Sequence, residues 1–103
     1  MNELESLKRD YRVAFLRYLP RRDEAALHLG YLIGRSAVAQ GISILDIAQV
    51  HHEAFLEVLR DTTGEDLNRI ATAASEFLVE VLATAEMTQR GFLARPPITK
   101  PQA

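Results

Sequence analysis

Residues 27–55, LHLGYLIGRSAVAQGISILDIAQVHHEAF, decide the fold. Apolar side chains recur here at three- and four-residue steps, the period of an α-helix and not the alternation of a strand. Gly41 interrupts the pattern where a helix would close on a left-handed residue. Ser43 follows where the next helix needs an N-cap oxygen. Ser43 and Asp46 form an imperfect capping box, because its third residue is ordinarily Glu or Gln. The stretch therefore predicts two helices joined by a tight turn.

The same period extends outward in both directions. A first helix is predicted from about Glu3 to Leu19, with Leu4, Leu7, Tyr11, Phe15 and Tyr18 on one stripe, and Pro20 stopping it or opening the next. The second runs from about Arg22 to Gln40, and the third from Ser43 to about Arg60, before Thr62-Thr63-Gly64. The fourth and longest runs from about Glu65 to Arg90. Its core stripe is Leu67, Ile70, Ala74, Phe77, Leu78, Val81, Leu82 and Ala85, and Gly91 ends it. No β-type alternation and no internal repeat occurs. The expected architecture is an all-α, four-helix, up-and-down bundle-like domain over residues 1–91. Residues 92–103, with Arg95-Pro96-Pro97, read as a disordered tail or a truncated linker.

Composition narrows the functional classes. A chain of 103 residues and 11.5 kDa buries roughly 65% of its unfolded surface on folding, enough for one core and too little for two domains. The absence of cysteine removes disulfides, thiolate catalysis and cysteine-ligated zinc. The net charge is −2, and Arg9, Arg12, Arg17, Arg21 and Arg22 are interleaved with Glu3, Glu5, Asp10, Asp23 and Glu24. That pattern makes a solvated face and leaves no clean stripe for nucleic acid. No apolar run approaches a membrane span, and no signal peptide precedes the domain, so the expected location is the cytoplasm.

Helix 2 carries more apolar surface than a small monomer has room to bury. Ala25, Leu29, Leu32, Ile33 and Ser36 fall on one side. Leu27, Tyr31, Gly34 and Val38 fall nearly opposite, with only His28 and Arg35 clearly polar between. Either helix 2 is the central element, or its second stripe, Leu27, Tyr31, Gly34 and Val38, meets another copy in a symmetric homodimer. The dimer is the favoured expectation. Gly30 and Gly34 would permit a close helix approach. On helix 4, Val79 and Ala83 lie off the core stripe, with Thr72 on the same side and Met87 at its edge, either as scattered surface apolarity or as a small docking patch.

Catalytic and metal chemistry find little support. On helix 3, His52 lies near the centre of the stripe Leu45, Ala48, Leu56 and Leu59, while His51 points about 100° away towards Ile47 and Val58. Adjacent helix residues diverge and chelate poorly. Neither H-E-x-x-H nor a Glu-x-x-His of a bundle di-iron site is present, so no metal is expected. Ser36, Ser43, Thr62 and Thr63 have no neighbouring base or glycine elbow. Aromatic residues that would build a cofactor pocket are few, and no cofactor is expected. The opening MNELESLKRDYRVAFL is similar to the first helix of small dimeric chorismate mutases. Such an enzyme needs converging cations, for which Lys8, Arg12 and Arg35 are the candidates, but that family's arginine/lysine pattern and its later acid/amide pair are missing.

The chain as a whole resembles the N-terminal domain of RsbU-type PPM serine/threonine phosphatases. The resemblance rests on Tyr11 and Tyr18, Arg35 followed by Gly41-Ile42, Ile47 and His51, and Phe77-Leu78-Val79-Glu80-Val81, spread over roughly residues 7 to 90. It implies a non-catalytic regulatory module of a bacterial stress-response pathway, a helix-packed homodimer that receives an RsbT-like serine-protein kinase in the crevice between subunits. His28, Val79 and Ala83 would lie at that partner-binding crevice. The kinase would switch on an attached or associated phosphatase, which frees an alternative sigma factor. No phosphatase sequence follows, so the chain reads either as an N-terminal piece or as a stand-alone module. A signalling dimer with another partner, histidine-kinase-associated or similar to the C-terminal domain of KaiA, is the alternative.

Overall fold

The computed structural model describes residues 2–94, with side chains described as far as Gly91. The chain forms α1 (Glu3–Arg21), α2 (Glu24–Ala39), α3 (Ile44–Arg60), a short 3-10 turn (Gly64–Asp66) and α4 (Leu67–Ala94). The all-α class and the four helices match the expectation. The predicted tail lies outside the described residues from position 95 onward.

Each of the first three helices opens on a side-chain cap. Asn2 accepts from the Glu5 amide at 2.8 Å, Asp23 from Ala26 at 2.8 Å and Ser43 from Asp46 at 3.1 Å. Each oxygen satisfies one of the amides left unbonded in a first helical turn. Gly41 adopts φ 76°. Around it the Ile42 amide reaches the Ala37 carbonyl at 2.9 Å and the Gly41 amide reaches Val38 at 3.0 Å, the paired bonds of a Schellman close.

Two boundaries differ from expectation. Pro20 sits inside α1, where its missing N–H removes only one bond near the helix end. The left-handed cap is Arg22, at φ 52°, whose amide bonds the Tyr18 carbonyl at 2.7 Å. At the other end, α4 runs through Gly91 to Ala94. Glycine weakens a helix without obliging it to stop.

The centre is aromatic. Tyr11, Phe15 and Phe77 are fully buried with Ile47 and Val81. The Tyr11 and Phe77 rings meet edge to face at 5.2 Å, and Phe15 meets His51 the same way at 5.3 Å. Against this wedge α2 presents mainly small residues, Ala26, Gly30, Gly34 and Ala37, so it lies closest to α4. A Cβ built on Gly34 would stand 2.6 Å from the Val81 carbonyl oxygen, and one on Gly30 3.1 Å from the Phe77 ring. Helix α1 lies against both, and α3 closes the other side against α1 and α4.

Two clamps tie the helices at the rim. Arg12 on α1 grips Glu57 on α3 with bonds of 2.8 and 3.2 Å. The Glu76 carboxylate on α4 receives both Arg22, in a two-pronged contact, and the Tyr18 hydroxyl at 2.8 Å. Hydrogen bonding from Arg12 holds Glu57 below the usual carboxylate range, and Arg22 does the same for Glu76.

Of the two apolar stripes of α3, the one through His51 turns inward. Its buried residues are Ile47, Val50, His51 and Ala54. Leu45 and Leu56, of the stripe centred on His52, are 67% and 43% exposed. The core selects His51 because the buried Tyr11 hydroxyl needs a polar partner there, and it lies 2.7 Å from His51 Nδ1.

Candidate functional site

The close approach of α2 and α4 leaves a groove of about 510 Å³ along their outer seam, bordered by Tyr31 and Arg35 on α2 and by Glu80, Ala83, Thr84 and Met87 on α4. Small residues at the seam make the groove. Gly34 lets the α2 backbone settle onto Val81 and Thr84, so the side chains one step around each helix form its two walls.

Along the α4 wall, Val79, Ala83 and Met87 follow at four-residue steps and so line one ridge. Val79 is 61% exposed and Met87 71%; Ala83 is exposed between them. Thr84 and Thr88 bond their own helix carbonyls at 2.8 Å, which leaves the ridge apolar. On the α2 wall the exposed His28 ring stacks on Tyr31 at 5.4 Å with planes 16° apart. Arg35 donates to the Tyr31 hydroxyl at 3.1 Å, with its guanidinium 5.9 Å from the ring centre. His28, Tyr31 and Arg35 thus form one ladder on α2, of which Tyr31 and Arg35 border the groove opposite Ala83 and Met87.

Of the predicted partner residues, only Ala83 borders the groove itself. His28 stacks on a residue that lines the groove, and Val79 lies one turn before Ala83 on the same ridge. The predicted dimer set separates. Tyr31 belongs to the groove ladder. Gly34 is buried within the chain against α4, so the close approach it permits is internal. Leu27 and Val38 are half-buried against the core. The surplus apolar surface of α2 lies on its other flank. Leu32 is 46% exposed there, and Val13 across from it on α1 is 50% exposed. Together with Leu29 and Ala14 they border a groove of about 410 Å³ between α1 and α2. Sequence periodicity places Leu29 and Leu32 on one of two stripes but carries no signal for Val13, which sits off the α1 core stripe.

Other candidates resolve into structural roles. Burial, assisted by the neighbouring charge of His52, pushes His51 down from 6.5 to about 4, and burial raises Tyr11. His51 is therefore a neutral core residue at neutral pH, paired to Tyr11, while His52 points to solvent. Ser43 caps α3, the Ser36 hydroxyl accepts from the Gln40 amide at 2.9 Å, and Thr62 donates to the Val58 carbonyl at 2.8 Å. None of these contacts is to a base that would activate a nucleophile. Lys8 and Arg12 border a groove between α1 and α3, whereas Arg35 borders the α2–α4 groove. The three cations do not converge on one anion, as a dicarboxylate enzyme would require. Among the described residues no group of three or more His, Asp or Glu is placed to hold a metal ion, and no helix is long and apolar enough to cross a membrane.

No curated protein and no solved structure matches the chain. A family model does, that of the N-terminal domain of the phosphoserine phosphatase RsbU, over residues 9–88. The matched span runs from early in α1 to the last turns of α4 and contains both walls of the groove. The chain belongs to the family of RsbU N-terminal domains.

Proposed function

We propose that this domain is a non-catalytic docking module of a partner-switching pathway. It dimerises and receives an RsbT-like switch kinase, and binding activates an attached or associated serine phosphatase that controls an alternative sigma factor. The observation that carries the reading is the α2–α4 groove bordered by Tyr31 and Arg35 on one wall and by Ala83 and Met87 on the other, with exposed Val79 one turn before Ala83 and His28 stacked on Tyr31. Large side chains of this kind on adjoining walls suit a protein partner better than water. Family membership supplies the pathway.

The second copy fits the α1–α2 flank. Val13 and Leu32 are exposed there beside Leu29, rimmed by Arg9, Asp10 and Arg17, and a symmetric pairing of that flank leaves the α2–α4 groove open to the kinase. Activation is a population shift. A kinase that binds better when the last turns of α4 are ordered favours that arrangement by its affinity difference, and the order is passed to whatever follows α4.

Val79→Asp and Ala83→Asp test the docking face by calorimetric titration with the RsbT-like kinase of the same genome. Each places a charge on an exposed apolar ridge. Each should weaken binding by tenfold or more, an interface effect of about 1.4 kcal/mol or larger, with circular dichroism unchanged. Wild-type affinity in both variants removes α4 from the docking surface.

A further inference from the structure

We propose that Arg35 is the polar anchor of the α2–α4 groove, and that the groove takes an amphipathic helix of the partner presenting a carboxylate to Arg35 and an apolar side chain to Ala83 and Met87. The proposal rests on the docking reading above and names the chemistry that reading leaves open.

Three observations converge on Arg35. The first is its charge state within the fold. Arg12, Arg22, Arg69 and Arg90 each reach a carboxylate on the protein. Of the arginines that make no ion pair among the described residues, Arg17, Arg21, Arg35 and Arg60, Arg35 is the one that borders this groove. Among the described residues no carboxylate stands within ion-pair distance of Arg35, although Glu80 borders the same groove. A guanidinium with several free donors is left beside a groove that Ala83 and Met87 line together with Glu80, Thr84 and Thr88. The guanidinium next to the apolar pair is complementary to an anion carried on an apolar segment.

The second is preorganisation. Arg35 is exposed, yet the Tyr31 hydroxyl accepts from it at 3.1 Å and the Tyr31 ring lies beside it. The ring distance is at the outer limit for a cation–π contact, so the hydroxyl is the main hold. His28, stacked on the Tyr31 ring, steadies it in turn. A splinted arginine loses less side-chain freedom when a partner arrives, so more of the new hydrogen bonding appears as affinity.

The third is shape. The groove is a seam between two parallel helices and extends from Glu80 to Gly91, about three turns of α4. A third helix lays a ridge into such a seam, with anchors spaced at three and four residues. Arg35 on one wall and the apolar pair Ala83 and Met87 on the other then read an acidic and an apolar side chain on one face of that helix. A carboxylate accepts a two-pronged bond from guanidinium, which fixes direction as well as charge.

The test uses Arg35→Glu, Arg35→Lys and Tyr31→Phe in the whole chain, titrated with the switch kinase beside wild type and Ala83→Asp. Arg35 is exposed and, among the described residues, bonded only to Tyr31, so all three variants should melt as wild type does. Arg35→Glu should weaken binding on the order of 100-fold, as truncated charge pairs in desolvated interfaces do. Arg35→Lys keeps the charge but loses the fork and should fall between. Tyr31→Phe should cost a few-fold through the lost splint. Replacing surface Asp and Glu of the kinase one at a time by Lys should then restore affinity for Arg35→Glu at a single position. Binding of Arg35→Glu at wild-type strength, while Ala83→Asp fails, overturns the anchor and leaves the docking face standing. Rescue by none of the kinase substitutions overturns the carboxylate. Failure of wild type to bind removes both proposals. A change in self-association of Arg35→Glu by light scattering assigns the groove to a second copy and overturns this one.

Discussion

Replacing Gly34 by alanine sets two effects of known sign against each other. Inside a helix the exchange gains about 1 kcal/mol from backbone entropy and propensity alone. The new methyl would stand 2.6 Å from the Val81 carbonyl oxygen, 3.0 Å from Thr84 Cβ and 3.1 Å from the Ala85 amide nitrogen. Two of those three atoms are backbone and move only with α4 itself. Non-bonded carbons prefer about 3.5–4.0 Å, so α2 must shift outward and loosen the contacts of Ala26, Gly30 and Ala37 as well. Overpacking of this kind costs typically 1–3 kcal/mol, and here the strain is on main chain, which places it at the upper end. The net expectation is a loss of about 1–2 kcal/mol and a melting temperature lower by roughly 4–15 °C for a domain of this size. Gly91→Ala is the matched control, because a Cβ at that position would have nothing within 4 Å. It should gain up to about 0.5 kcal/mol, reduced from the full propensity because the helix end is near. Urea melts followed at 222 nm, at one protomer concentration, measure both. A Gly34→Ala protein as stable as wild type, with Gly91→Ala behaving as stated, would refute the close α2–α4 seam from which the groove is argued.

Three further outcomes are expected from the same geometry. His51 is held near 4 against 6.5 in the unfolded chain, so as pH falls the unfolded state takes up the proton first. Stability should be full above about pH 6.5 and lose roughly 3 kcal/mol through this group by pH 4, about 2 of it before pH 5 where carboxylates begin to titrate. His51→Gln, which keeps a hydrogen-bonding atom for Tyr11, should flatten the curve between pH 6.5 and 5. Leu32→Glu, on the exposed α1–α2 flank, should halve the mass seen by light scattering if that flank joins two copies; an unchanged dimer mass places the interface elsewhere. Gly41→Ala should cost about 1 kcal/mol in a urea melt, since φ 76° disfavours a Cβ, and a neutral result would mean the turn re-forms without a left-handed residue.

The helices are legible in the sequence because local chemistry specifies them. Ser43 and Gly41 are a cap and a left-handed close wherever they are packed, and the structure places both as expected. Which face of a helix turns inward is decided by neighbours that the local sequence does not contain. On α3 two apolar stripes lie about 100° apart, and the choice between them is made by Tyr11, forty positions away, needing His51 beneath its hydroxyl. On α2 the count of apolar residues is informative but their assignment is not. Gly30 and Gly34 mark a close approach in any fold, yet only Phe77, Val81 and Thr84 make it an internal one. Pro20 and Gly91 read as helix stops in the sequence, although each costs too little near a helix end to halt it. The groove itself is half legible. Resemblance points to His28, Val79 and Ala83, and helical periodicity sets Met87 at the edge of that α4 patch, whereas Arg35 joins the site only once α2 and α4 are seen side by side.

Amide hydrogen exchange on the domain, alone and saturated with the RsbT-like kinase, tests the docking role most directly because it locates the contact without any substitution. A kinase seated in the α2–α4 groove should slow exchange in two segments, residues 27–35 of α2 and 79–90 of α4, with α3 unchanged. Slowing confined to α3 around Leu45 and Leu56, or no difference at saturating kinase, would contradict it.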